Sequence, residues 1–387
     1  MSLKKTILFI SLIVLFLSNN IYAQEQQQKL LLNSEAVILI DANTGEVLYE
    51  KNSDQVMFPA SITKILTAII AIEEGNLNDS VTVSENARQT GGTRVYLEPG
   101  ERVTLDKLVK GLLLNSGNDA GVAIAEHMDG SVEAFARRMN RFVDEKIGFN
   151  HSNFENPHGL YDEDHVTTAE DMAKITQYAM ENPKFRKIAA TKSLKWDGEG
   201  WDTVIYNHHR LVRQRDDVTG VKNGFVGQAG FTLVTSATRD HIDLIAVTLK
   251  ADTADLSYVD TERLLEYGFE NFQTYSISAT GEVFNEGTME YVFNEDLTFT
   301  ASKGEEISED VNNGELIVKN NEGELLVEQP LTQVQKPEKE EKVKKDVKAS
   351  QVNGVSSVNA FMVILALGLV TFFIIKTRNR RKKRFFY

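Results

Sequence analysis

The chain has 387 residues, 42% of them hydrophobic and 25% charged, with a formal net charge of −14 and no cysteine. So acidic a balance argues against nucleic acid as a partner. The lack of cysteine excludes disulfides and thiolate metal sites, and the length suits one large domain plus a smaller one.

Residues 1–23 carry Lys4 and Lys5, then an apolar run over 7–17, and close on Ile21-Tyr22-Ala23. This is the pattern of a secretory signal peptide. Residues 24–32 begin polar and glutamine-rich. The apolar runs 36–41 and 47–49 flank Ala42-Asn43-Thr44-Gly45-Glu46, which predicts a β-hairpin. Pro59 then precedes a helix in which Ile62, Ile65, Leu66, Ile69 and Ile70 recur at helical spacing. Ser61 stands at its start, where a serine caps exposed N–H groups.

Helices are expected over 105–114, 119–127, 132–146 and 168–180. Thr168 with Asp171 three places on approximates a capping box for the last. Phe135, Met139 and Phe142 share one face of the third and belong to a core. Strand character returns from 218 to 250. The runs 231–238 and 242–249, joined through Arg239-Asp240-His241, read as a hairpin, and 258–272 reads as a closing helix. The order is strands, a helical insert, strands and a last helix. An α+β arrangement with one antiparallel sheet and helices on its faces is the simplest packing.

From 274 to 329 short alternating runs such as Met289-Glu290-Tyr291-Val292-Phe293 suggest a small all-β domain. Residues 331–357 are mostly charged, polar or small, with no aromatic residue, and read as a flexible stalk. Residues 358–375 are apolar apart from Asn359 and Thr371, long enough for one transmembrane helix. The basic run that follows, 376–387, places a tail in the cytoplasm. The expected segments are 1–23, 24–272, 273–330, 331–357, 358–375 and 376–387. The body would then lie outside the cell membrane, held by a single pass.

Three motifs carry chemistry. Ser61-Ile62-Thr63-Lys64 puts a hydroxyl and an amine three residues apart on one helix face. A neutral lysine there can take the serine proton, and burial or a neighbouring cation lowers its pKa. Ser116-Gly117-Asn118 lies between two predicted helices, where a hydroxyl and an amide can lean over the first helix. Lys222-Asn223-Gly224 lies in a predicted strand, where a lysine can hold a carboxylate and a glycine allows close approach of substrate backbone. Each motif alone fits ordinary surface or turn chemistry. In this order they form the set found in penicillin-binding proteins and serine β-lactamases.

The chain resembles the D-alanyl-D-alanine carboxypeptidases, the low-molecular-weight penicillin-binding proteins. The resemblance rests on residues 58–67, 114–120 and 220–225, on Asn156-Pro157-His158-Gly159-Leu160 and on 167–173. It implies a β-lactamase/transpeptidase-like fold and a serine acyl-enzyme. Ser61 would attack the carbonyl between two terminal D-alanines, Lys64 would accept the proton, and Ser116 would shuttle it to the departing D-alanine. Asn118 would position the acyl chain and Lys222 would bind the terminal carboxylate. The backbone N–H groups of Ser61 and Phe225 would form the oxyanion hole. Asn223 departs from the family's usual threonine, so the carboxylate contact there is altered. The implied substrate is the peptidoglycan pentapeptide, with β-lactam antibiotics as inhibitors, and no cofactor or metal is implied. His158 and the pair His208-His209 read as structural.

Two other readings are open at this stage. One is a serine β-lactamase, although no Glu-x-x-x-Asn segment stands between the second and third motifs. The other is a non-catalytic peptidoglycan-binding protein of the same fold.

Overall fold

A computed structural model describes residues 30–148, 151–278, 282–293 and 295–334. The expected signal peptide (1–23), the stalk beyond 334, the apolar run 358–375 and the basic tail lie outside these residues. The expectation of one transmembrane helix is corrected: no helix among the described residues is long and apolar enough to cross a membrane.

The central sheet has five antiparallel strands in the order Val47–Lys51, Ala36–Asp41, Ile242–Ala251, Gly230–Arg239, Val218–Val226. Strand side chains alternate between faces. Ile38, Ile40, Ile245 and Val247 therefore point into one core, while Val37, Leu39, Leu244 and Ala246 point into another. Both faces are covered, so the strands read as continuous apolar runs rather than alternating ones.

The first core lies under the helical insert, formed chiefly by Lys64–Glu74, Leu105–Leu114, Asn118–Asp129, Val132–Phe142 and Ala169–Glu181. The second lies under Ala254–Asn271. That last helix sits close on the sheet at Gly268, where an added Cβ would lie 2.6 Å from Leu244 Cδ1.

Several expected elements shift. The helix expected over 132–146 ends at Phe142 and continues as a wider π-turn, Val143–Ile147. The closing helix starts at Ala254, earlier than the apolar pattern indicates, because Thr253 accepts a hydrogen bond from Leu256 N at 3.2 Å. Ser61 is not a helix cap. It lies in a 3₁₀ turn, Ala60–Thr63, that leads into Lys64–Glu74. A hairpin of Ser193–Asp197 and Asp202–Tyr206 is additional, and it buries Trp196.

Beyond the closing helix, strands between Phe272 and Gln333 form one two-stranded and two three-stranded sheets. Their shared core contains Ile277, Phe293, Phe299, Leu316 and Val318. Thr332–Gln333 pairs with Met289–Val292, so the first residues of the expected stalk are sheet. This module is tied to the central sheet at buried Asp41. Its Oδ2 accepts from Thr274 Oγ1 at 2.5 Å and from Thr300 Oγ1 at 2.8 Å.

Candidate active site

Ser61 projects from the 3₁₀ turn, and the start of the next helix places Lys64 beside it. Lys64 Nζ is 2.9 Å from Ser61 Oγ and donates to the carbonyl of His158 at 2.5 Å. Lys64 is fully buried. Burial, reinforced by the charge of Lys222, holds its amine well below the ordinary lysine range, against a weaker opposing pull from Asp119. A buried amine that gives up its proton readily, in hydrogen-bond contact with a hydroxyl, is the pairing a general base requires.

The turn 156–160 builds the wall behind Lys64. Asn156 Oδ1 accepts from Gly159 N at 2.7 Å and from His158 N at 3.3 Å, an Asx turn. Gly159 sits at φ +84, and an added Cβ would lie 1.8 Å from Ala60 O. Only glycine fits there. Ala60 is itself left-handed at φ +50, so the main chain next to the nucleophile is strained where function requires it. Thr67 Oγ1 donates to Pro157 O at 2.7 Å, fixing the turn to the nucleophile's helix.

The edge strand Val218–Val226 closes the other side. Buried Lys222 donates to its neighbour's carbonyl, Asn223 O, at 2.6 Å and lies 3.4 Å from Asn223 Oδ1. Burial alone pushes its amine down to about 7. An added Cβ at Gly224 would lie 2.6 Å from both Ser61 N and Thr232 Oγ1. The glycine is therefore required by the nucleophile's own backbone, where the sequence suggested room for substrate. Thr232 Oγ1 donates to Pro59 O at 3.0 Å and locks strand to turn. Phe225 is 56% exposed, with its ring 4.4 Å from that of Phe231.

Ser116 is buried and left-handed, at φ +60, between the Leu105–Leu114 and Asn118–Asp129 helices. Asn118 Nδ2 donates to Gly91 O at 2.8 Å. One turn on, a Cβ at Gly121 would lie 3.5 Å from Pro157 O, which brings this helix against the turn that holds Lys64. Leu114 O accepts from His208 N at 2.9 Å, and His209 Nε2 lies 2.8 Å from Thr235 Oγ1. Thr235 is the register partner of Val221. Thus Ser61 touches Lys64 and the Gly224 backbone, Lys222 lies two residues along the same strand, near enough for its charge to act on Lys64, and Ser116 and Asn118 connect to this group through residues 156–160 and 207–209.

Three contributors were not assigned from the sequence. Asp119 accepts from Val95 N at 3.0 Å, Leu97 N at 3.1 Å and Ala120 N at 2.9 Å. In sequence it reads only as an acid at a helix start. The His158 carbonyl carried no sequence signal, because main-chain groups have none. His165 accepts from Glu155 N at Nδ1 (3.0 Å), so its Nε2–H faces Thr63 Oγ1 at 2.8 Å. Burial lowers it to about 4 and keeps it neutral. His158 and His209 are likewise pushed down by burial, consistent with structural roles.

A family profile described as D-alanyl-D-alanine carboxypeptidase matches residues 22–253. The D-alanyl-D-alanine carboxypeptidase DacF of Bacillus subtilis is 31% identical over 293 residues, covering 71% of this chain and 74% of its own. DacA of Haemophilus influenzae is 32% identical over 278 residues, covering 67% and 68%. Among solved structures, penicillin binding protein 5 from Haemophilus influenzae superposes with a TM-score of 0.71 at 27% identity, covering 79% of this chain and 98% of that one. Penicillin binding protein 6B from Escherichia coli gives 0.68 at 28%, covering 79% and 96%. With the serine–lysine pair, the buried second lysine and the glycine-tight turn in place, the chain belongs to the D-alanyl-D-alanine carboxypeptidase family.

Proposed function

We infer that Ser61, Lys64, Ser116 and Lys222 carry the family's reaction, serine-type removal of the terminal D-alanine from peptidoglycan stem peptides. Lys222, with Asn223 beside it, takes the terminal carboxylate. Ser61 Oγ attacks the carbonyl carbon of the penultimate D-alanine as its proton passes to Lys64 Nζ. The backbone N–H groups of Ser61 and Phe225 receive the developing oxyanion; one such donor is worth about 10²–10³ in rate. The tetrahedral species then breaks its C–N bond, and the leaving amine takes a proton from Lys64 by way of Ser116. Asn118 holds the acyl chain. Water hydrolyses the ester, releasing the shortened peptide and restoring the Ser61 hydroxyl. The substrate places this work at the cell envelope, and a penicillin acylates the same serine.

The observation that carries the assignment is the 2.9 Å approach of fully buried Lys64 to Ser61 Oγ. Purified protein should release D-alanine from a D-Ala-D-Ala peptide and form a penicillin adduct located at Ser61 by mass spectrometry. Ser61→Ala should lose both. An adduct without D-alanine release would leave only a binding protein, and rapid penicillin hydrolysis would make it a β-lactamase.

The two lysines set opposite limbs of the pH profile. Lys64 must be neutral to act as base, and its lowered pKa widens the range in which it is. Lys222 must be charged to hold a carboxylate, and in the substrate-free protein it loses its proton at about 7. kcat/KM should therefore fall as pH rises above about 7, chiefly through KM, while saturating substrate protects Lys222 from deprotonation.

A further inference from the structure

We propose that Arg94, set against Tyr96 and Trp201, forms a subsite for a second carboxylate on the substrate, borne by the side chain of the residue preceding the D-Ala-D-Ala pair. The inference rests on the reading above, in which Asn118 lies along the acyl side of the scissile bond.

The segment 91–97 is wired to the Ser116 turn. Asn118 Nδ2 donates to Gly91 O at 2.8 Å, Asn118 N to Thr93 O at 2.7 Å, and Asn115 Nδ2 to Arg94 O at 2.9 Å. Asp119 grips Val95 N and Leu97 N at 3.0 and 3.1 Å, the amides on either side of Tyr96. That double grip holds Tyr96 left-handed at φ +57 with its side chain 42% exposed. Strain of this kind persists only where the surroundings impose it, and it gathers at functional sites.

The Arg94 guanidinium stands 5.2 Å from the Tyr96 ring centroid, and Trp201 packs edge-on to that ring at 5.2 Å. Trp201 comes from the 193–206 hairpin, whose root leads to His208, bonded to Leu114 O beside the same turn. Two segments remote in sequence thus converge on one cationic, aromatic wall, and the main chain leading into it is bonded to Asn118.

Arg94 is free to take an anion. Its one hydrogen bond is to Arg88 O at 3.2 Å, and no acid among the described residues pairs with it. The nearby acid Glu98 is engaged by Arg88 Nε at 3.4 Å. In a chain of net charge −14, an unpaired arginine held in place over an aromatic ring suits a carboxylate, which it can meet with two parallel N–H donors. Lys222 already serves the terminal carboxylate, so this cation addresses a different group, upstream.

The test separates binding from chemistry. Trp201 is one of two tryptophans and the other, Trp196, is fully buried, so quenching of intrinsic fluorescence reports on the wall. In a Ser61→Ala background, two X-D-Ala-D-Ala peptides are titrated, one with a side-chain carboxylate at X and one with that carboxylate amidated. The acid should bind roughly 5- to 10-fold more tightly, as a partly exposed arginine–carboxylate pair provides. Adding Arg94→Ala should bring the ratio to about one, and Arg94→Lys should keep part of it. A ratio near one before Arg94 is changed, or one that survives Arg94→Ala, overturns the proposal. Release of D-alanine from the amidated peptide by unaltered protein tests the catalytic assignment separately.

Discussion

The catalytic region and the C-terminal β module differ most in what they bury. The first encloses Lys64, Lys222, Asp119, His158, His165 and His209 within two extensive apolar cores. The second has a core of five fully packed hydrophobic residues, and among its described residues Asn320 is the buried polar one. Charged groups lose hydration when buried, and that penalty falls on the region where reactivity depends on it. The β module encloses no fully buried charged side chain among its described residues. Stability and function are therefore in tension in one part of the molecule and not in the other.

The largest expected effect comes from removing that tension. Lys222→Met should lower kcat/KM by about 10²–10³, since a carboxylate would lose its cation. The same change should raise thermal stability, because an amine buried without an acid partner is gone. The folded pKa, about 7, lies below the ordinary lysine value of 10.5. The penalty therefore grows as pH falls between these values and is greatest below about 7, where the stabilisation should be largest. Calorimetry at pH 6 and pH 9 would show it; equal stability of the two proteins at pH 6 would refute the idea.

Gly159→Ala should damage both properties together. The Cβ meets Ala60 O, and the left-handed backbone is unfavourable for alanine. A loss of about 2 kcal/mol or more is expected, with greatly reduced penicillin labelling, because the turn on either side of Ser61 must move. Normal labelling at normal stability would mean the turn is softer than its packing indicates.

Leu316→Ala addresses the other region. Leu316 is fully buried in the small core, and its truncation should cost about 2–4 kcal/mol locally. Limited proteolysis should then cut within 284–330 while Ser61 still labels. Coincident loss of labelling would show that the Asp41 junction makes one cooperative unit of the two.

The last expected effect is a pH trend in which opposing groups partly cancel. His165 and His209 are held at about 4 and about 3 in the folded protein, against 6.5 ordinarily. The unfolded chain binds those protons first, so stability should decline as pH falls from about 6.5 toward 3. The raised carboxyls of Asp119 and Asp171 oppose part of this. All seven histidines precede residue 242, so the decline belongs to the catalytic region. Urea midpoints by tryptophan fluorescence between pH 7 and pH 4 would test it; an unchanged midpoint would refute the expectation that these histidines outweigh the raised carboxyls.

Much of this was legible in the sequence. The apolar runs 36–41, 231–238 and 242–249 are sheet strands, and Leu105–Leu114 has the expected bounds. Ser61 and Lys64 meet because a single helical turn decides it. What was not legible is what side chains do to remote main chain. The Asp119 grip on 95–97, the Thr232 bond to Pro59 and the His158 carbonyl on Lys64 join positions 22 to 173 residues apart. Periodicity and propensity describe local structure only. The 193–206 hairpin gives little strand signal because its strands alternate a few apolar residues with exposed charges.

The grip on Lys64 comes from a carbonyl oxygen, and this has a genetic consequence. A side-chain contact disappears with one codon, whereas a main-chain contact is supplied by every amino acid. Variation at position 158 would therefore reach the base only by bending the loop, and the contact depends instead on the residues that shape the loop, Asn156, Gly159 and Thr67.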